Sequence, residues 1–196
     1  MMTLETTLLL VGVGGQGTIL AGKVIASWAL KQGSLVKVSE VHGMSQRGGS
    51  VVTHIRIGQE IFSPLVERGG AEFIIATEKL EAWRWLPYLQ QNGTLIVNEQ
   101  EIYPLPVLTG ARSYPHALGS RLQKSAARVL MIDALKIALR CGEPRAANMV
   151  LLGVFAKEIG AKRVDWHQAL KQNIREQYLE KNILAFNAGY EQKFTI

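Results

Sequence analysis

The chain has 196 residues, one cysteine and a formal net charge of +6. That length supports a single domain able to bury roughly 70% of its unfolded surface, so it needs no staple. The lone Cys141 excludes an internal disulfide, and also any zinc or iron–sulfur site ligated only by cysteines of this chain. A hydrophobic content of 47% against 19% charged residues is ordinary for a soluble globular protein. Met1–Thr7 carries Glu5 and no basic segment, so no signal peptide is expected, and the cysteine usage fits a reducing cytoplasm. No apolar run approaches the ~20 residues that span a bilayer, so no membrane partner is expected. Lys and Arg are scattered rather than striped, which argues against nucleic acid. The positive balance is a mild bias toward acidic partners or anionic ligands.

Thr6–Val11 is a continuous apolar run, the pattern of a strand buried on both faces. Thr18–Gln32 has helical apolar spacing and is stopped by Gly33; Leu35–Val38 is the next strand. This βαβ opening predicts two parallel neighbouring strands. Val51–Ile57 alternates, predicting a strand with one wetter face and a half-exposed His54, followed by a hairpin turn at Gly58–Glu60 into Ile61–Phe62. Phe73–Ala76 reads as a short buried strand, with Thr77 as N-cap of a helix over Glu78–Leu86. Trp83, Trp85 and Tyr88 crowd this segment, some as core and one or two at an interface. Asn92–Gly93 reads as a turn and Thr94–Asn98 as a strand. Tyr103–Tyr114 reads as extended, Pro115–Lys124 as a short helix and Arg128–Ile132 as a strand. Asp133 caps a helix over Ala134–Arg140. Arg145–Ile159 is an apolar helix whose Asn148, if buried, must tie neighbouring backbone. Asp165 and Gln168 resemble a capping box for a helix running to about Tyr178, with Trp166, Ala169, Leu170 and Ile174 on one face and His167 solvated off it; Asn182–Tyr190 is a last short helix. The expected fold is α/β: a Rossmann-like open, mostly parallel sheet with helices on both faces, one domain over residues 1–196.

Two glycine-rich stretches stand out. Gly12-Val13-Gly14-Gly15-Gln16-Gly17 lies between strand and helix, where free N–H groups make an anion site. Ser39–Ser50 fits neither helical nor strand periodicity and gathers the donors His42, Ser45, Gln46, Arg47 and Ser50 among Gly43, Gly48 and Gly49, with Glu40 and Met44 beside them. The Arg47 guanidinium suits a carboxylate or phosphate. Both stretches follow the carboxyl ends of parallel strands, so both are expected on one sheet edge, where open α/β folds bind ligands. Glu40 lies about where a dinucleotide site places its ribose carboxylate, which keeps open a free-standing NAD(P)-binding oxidoreductase. A third reading is an assembly subunit using the fold as an interface. No nucleophile elbow, Walker lysine or metal-ligand spacing is present, and no catalytic residue is assigned.

Gly12–Gly17 followed by Ser39-Glu-Val-His-Gly-Met-Ser-Gln-Arg-Gly-Gly-Ser-Val51 closely resembles the gamma-type domain of 2-oxoacid:ferredoxin (flavodoxin) oxidoreductases. Further echoes are Phe62–Leu65, Ile96–Asn98, Ile132–Ala134 and Ala147–Gly153, and the resemblance covers essentially the whole chain. Chain length, Leu105–Gly110 and the Asn182–Tyr190 ending look most like beta-type subunits of the indolepyruvate branch. The resemblance implies a non-redox subunit of an enzyme that oxidatively decarboxylates a 2-oxo acid, transfers the acyl group to coenzyme A and reduces ferredoxin. Thiamine diphosphate and iron–sulfur clusters are then expected in a larger alpha subunit, with coenzyme A as co-substrate and no tightly bound cofactor here. An isolated chain is expected to be inactive, with a homodimer through Trp83–Tyr88 as one arrangement open to it. Gly12, Gly14, Gly15, Gln16 and Gly17, with Glu40–Gly49, are the implied binding elements.

Overall fold

The computed structural model describes residues 5–42, 49–125 and 128–194, except for the side chain of His42. The strands are β1 (Thr6–Val13), β2 (Leu35–His42), β3 (Ser50–Gly58), β4 (Ala71–Ala76), β5 (Leu89–Asn98) and β6 (Arg128–Ile132). The helices are α1 (Thr18–Lys31), α2 (Lys79–Trp85), α3 (Leu105–Leu108), α4 (Leu118–Ser125), α5 (Ala134–Arg140), α6 (Ala147–Glu158), α7 (Arg163–Asn173) and α8 (Glu176–Tyr190). The strands form one sheet in the order β2-β3-β1-β4-β5-β6. Contacts from β1 through β6 on one side are parallel, while β3 runs antiparallel to both β1 and β2.

The apolar runs are continuous because the sheet is covered twice. Leu8, Leu10, Ile55, Ile75 and Ile96 face a large core closed by α1 and α5–α8, whereas Leu9, Val11, Val52, Ile74 and Leu95 face a smaller one closed by α2 and α4. Successive strand residues point to opposite faces, so a strand buried on both faces shows no alternation. In the larger core Trp28 stacks on Trp166 with ring centroids 4.5 Å apart, and Phe155 and Phe186 pack against Trp166. Helices α6 and α8 meet through glycine: a Cβ on Gly153 would sit 2.0 Å from the Phe186 carbonyl oxygen, and one on Gly189 would sit 2.0 Å from that of Val150. Only a missing side chain lets two helix backbones come this close.

Several expectations are corrected. β1 and β2 are parallel but not neighbours, because β3 is inserted between them. β3 already has a partner on each side, so Ile61–Phe62 has no free edge to pair with and forms no strand; Phe62 stands exposed. β3 has no wet face, and His54 is 6% exposed, its Nδ1 accepting the Val66 N–H at 3.1 Å. Ser39–His42, read as loop, extends β2. Asn92–Gly93 lies inside β5; Gly93 serves a close approach, since its Cβ would lie 3.0 Å from the Glu72 carbonyl oxygen. Glu78, not Thr77, caps α2, accepting the N–H groups of Leu80 and Glu81. Residues 105–108 are a short helix rather than extended chain. α7 starts at Arg163 with no side-chain cap, so Asp165 lies in its first turn and no capping box forms. That helix breaks at the buried, extended Ile174, and the last helix begins at Glu176 rather than Asn182. His167 is half-buried, with its Nε2 2.8 Å from Asn187 Oδ1. Trp83 lies under the Arg121 guanidinium, while Trp85 packs between His54 and Tyr88, all on the smaller core.

Candidate binding cleft at the carboxyl edge of the sheet

The glycine loop leaves β1 and turns into α1. Gly17 is the N-cap with φ 75°, a left-handed conformation that favours glycine, and no side chain caps the helix. The first N–H groups of this 14-residue helix are therefore free to meet an anion.

The loop is held from behind by an amide network. Gln16 Oε1 accepts the Val13 N–H at 2.9 Å and the Thr77 hydroxyl at 2.6 Å. Gln16 Nε2 donates to Thr77 O and Gln100 Oε1, both at 3.3 Å. Asn98, at the end of β5 and 2% exposed, donates to Thr77 O at 3.0 Å and to Gln100 Oε1 at 3.2 Å. Its Oδ1 accepts the Ala134 N–H at 3.0 Å, so it also fixes the start of α5. Asn148, on α6, donates to Gly17 O at 3.0 Å, and its Oδ1 accepts the Met149 N–H at 2.9 Å. Gly12 has no room for a side chain: its Cβ would meet Thr77 Oγ1 at 1.9 Å. Each wall is thus positioned by a different segment of the chain.

The described exit of the second glycine-rich stretch, Gly49 and Ser50, lies at the same edge. Gly14 N donates to Gly49 O at 2.9 Å, which ties the exit of that stretch to the glycine loop. The next residue, Ser50, donates from Oγ to Glu81, a buried carboxylate that also accepts from Arg84 Nε at 3.1 Å. Burial pushes the neighbouring Glu78 carboxyl up, against the lowering effect of hydrogen bonds from the Leu80 and Glu81 N–H groups. Gly43, Met44, Ser45, Gln46, Arg47 and Gly48, with the His42 side chain, lie outside the described residues.

Together these elements enclose a cleft of about 430 Å³. Gly15, Gln16 and Gly17 form one wall, Thr77, Asn98 and Gln100 the floor. Leu20, Ile102, Leu135 and Leu151 supply apolar surface, and Arg145 and Asn148 add a guanidinium and a further amide. The described lining offers amides, a hydroxyl and one guanidinium, and no carboxylate, imidazole or thiol. It can bind and orient an anionic or amide-rich ligand; it has no group for nucleophilic or acid–base work. Gln16 has its amide engaged in holding the loop. Glu40 lies in β2, on the far side of β3 from the glycine loop, with its side chain exposed. A ribose carboxylate would have to come from a strand beside β1. The sequence reading missed Gln100, Ile102 and Arg145, and gave Thr77 another task. Asn98 and Asn148 lie within the Ile96–Asn98 and Ala147–Gly153 segments that carry part of the family resemblance.

Among the described residues no group of three or more His, Cys, Asp or Glu side chains is placed to hold a metal. Cys141 is half-buried and solitary. These residues do not fit an iron–sulfur cluster. Among the described residues, too, no helix is long and apolar enough to cross a membrane.

A single α/β domain with a glycine loop opening on the carboxyl edge of its parallel strands is a Rossmann-like arrangement. The sequence places it more closely: it belongs to the pyruvate ferredoxin/flavodoxin oxidoreductase family, whose model matches residues 7–192. It is 34% identical over 96% of both chains to the indolepyruvate oxidoreductase subunit IorB of Archaeoglobus fulgidus. It is 36% identical to that of Methanothermobacter thermautotrophicus, over 91% of this chain and 93% of the relative. The common gamma subunit of the pyruvate/ketoisovalerate oxidoreductases of Pyrococcus furiosus is more distant, at 26% identity over 92% and 93%. The fold matches the pyruvate oxidoreductase subunit PORC of Thermotoga maritima with a TM-score of 0.73 at 18% identity, covering 96% of each chain. The family membership leaves the free-standing NAD(P)-binding reading without support.

Proposed function

We propose that residues 1–196 act as the gamma-type, non-redox subunit of a cytoplasmic 2-oxoacid:ferredoxin oxidoreductase, with indolepyruvate as the oxo acid. The observation that supports the substrate is the gap between 30–36% identity to the indolepyruvate subunits and 26% to the pyruvate/ketoisovalerate subunit of Pyrococcus furiosus. In the reaction, a 2-oxo acid and coenzyme A yield an acyl thioester, carbon dioxide, a proton and two electrons that reduce ferredoxin. Thiamine diphosphate and iron–sulfur clusters supply that chemistry from the alpha subunit. This chain closes over the partner's active site and binds coenzyme A or the oxo acid at the glycine-loop cleft. Its amides and free helix N–H groups orient the ligand, and Arg47 grips an anion.

The deciding experiment is anaerobic capture of the tagged chain from its own cells. The expected eluate contains a brown, thiamine-containing partner and reduces ferredoxin with coenzyme A, fastest with indolepyruvate among indolepyruvate, pyruvate and 2-oxoglutarate. A colourless chain that elutes alone overturns the proposal; a preference for another acid overturns only the substrate. In the assembled enzyme Arg47→Ala is expected to raise KM for coenzyme A or the oxo acid on the order of ten-fold, the scale of one lost charge-assisted contact. Unchanged steady-state kinetics would remove Arg47 from the site.

A further inference from the structure

β2 closes one end of the sheet, and among the described residues nothing pairs with its outer edge. Exposed strand edges are ordinarily blunted by shortness, by a bulge or proline, or by charges aimed at whatever approaches. The opposite edge follows that rule: β6 has five residues and begins with Arg128. β2 does not. It has eight residues and no proline. Its register with β3 is unbroken from Leu35↔Gly58 to His42↔Val51. Leu35, Val38 and Val41 along it are all exposed. Its one lysine does not guard the edge. Lys37 Nζ donates to the Phe62 carbonyl oxygen at 3.2 Å, and Arg56, its cross-strand neighbour, donates to that of Ser63 at 3.5 Å. These contacts hold Phe62 and Ser63 over the sheet face that carries Lys37, with the Phe62 ring 84% exposed and Leu65 exposed as well.

The sequence of β2 is complementary to itself. Residues directly opposite in an antiparallel pair point to the same face, so a two-fold pairing of β2 with itself must be centred on a residue, not between two. Centring on Val38 sets Val38 against Val38 of the second copy, Leu35 against Val41, Lys37 against Ser39 and Val36 against Glu40. Each exposed apolar residue of the strand then meets another, and no like charges lie opposite. Centring on Lys37 would set lysine against lysine, and centring on Glu40 carboxylate against carboxylate; like charges directly opposite are destabilising. Centring on Ser39 would set Val38 against Glu40 and Val41 against Lys37. We infer that β2 pairs antiparallel with β2 of a second copy of this chain, continuing the six-stranded sheet across a two-fold axis at Val38. The surface differs from the Trp83–Tyr88 segment, whose rings pack on the smaller core. The pairing does not depend on which ligand the cleft binds.

The test is the mass of the purified full chain in solution, by analytical ultracentrifugation at micromolar concentrations. The expected species is a dimer of the 21.6 kDa chain. Val38→Glu sets two carboxylates against each other and is expected to give a monomer with an unchanged thermal melt, because Val38 is exposed. In a Cys141→Ser background, Val38→Cys is expected to form a disulfide-linked dimer under mild oxidation. Lys37→Cys is not, because the pairing sets that position against Ser39. A monomeric wild-type chain, or a dimer that survives Val38→Glu, overturns the inference. So does a monomeric wild-type chain that captures the alpha subunit from its own cells and loses it with Val38→Glu, which would assign the edge to that partner.

Discussion

Asn98 shows how much one buried carboxamide can organise. With 2% exposure it joins the start of α5 to the floor of the cleft, accepting from Ala134 N and donating to Thr77 O and Gln100 Oε1. Asn98→Ala leaves a buried N–H without its acceptor, and is expected to cost about 1–3 kcal/mol. Urea unfolding at neutral pH measures this; a loss below a few tenths of a kcal/mol would show that water replaces the amide. His54 carries a second residue-scale prediction. Burial holds its imidazole below the ordinary value, so the unfolded chain binds more protons there than the folded one. The stability it contributes is present above the unfolded pKa of about 6.5 and is lost as pH falls through the folded value. Glu78 acts oppositely: its raised pKa gives stability below the unfolded carboxyl value that is lost as pH rises through the folded one. A variant at His54 separates the two. His54→Asn keeps an acceptor for the Val66 N–H, and its urea midpoint should fall less than that of the wild type between about pH 7 and pH 5. Equal declines would assign the pH dependence elsewhere.

At the scale of elements, the contact between α6 and α8 decides how tightly the larger core closes. Gly153 and Gly189 each face the other helix's backbone, with no space for a methyl group. Gly189→Ala forces the helices apart and is expected to destabilise by about 1–3 kcal/mol, despite alanine's better helix propensity. A thermal melt that rises instead would show that helix propensity outweighs the close approach. α6 also carries Asn148, so a displaced helix loosens the hydrogen bond to Gly17 and opens the cleft wall. The glycine loop and α6 are far apart in sequence and are joined only in the tertiary structure.

At the scale of the molecule, the placement of β3 sets the distance between Glu40 and the glycine loop. By lying between β1 and β2 it moves Glu40 a full strand away from the glycine loop. The purified chain should therefore not bind NADH at micromolar concentrations, as fluorescence titration would show; saturable binding would mean another carboxylate serves the ribose. The described lining of the cleft is rich in amides and holds no carboxylate, imidazole or thiol.

Some of this was legible in the residues alone. Strands β1, β4 and β6, the helices α1 and α5, and the Asp133 cap follow from local rules: apolar run length, helical spacing, and a side chain reaching its own backbone. That β1 and β2 run in the same direction also followed, because a crossover through a helix keeps strand direction; among the described residues Gly49 meets the glycine loop through the hydrogen bond from Gly14. Strand order did not follow. Whether β2 or β3 pairs with β1 depends on which edge offers free N–H and C=O groups after α1 has packed, a competition with no local signature. The same holds for the burial of His54 and for the tasks of Thr77, Gln100 and Arg145. Their partners lie in distant segments, so their roles exist only once the sheet, α5 and α6 are assembled around them.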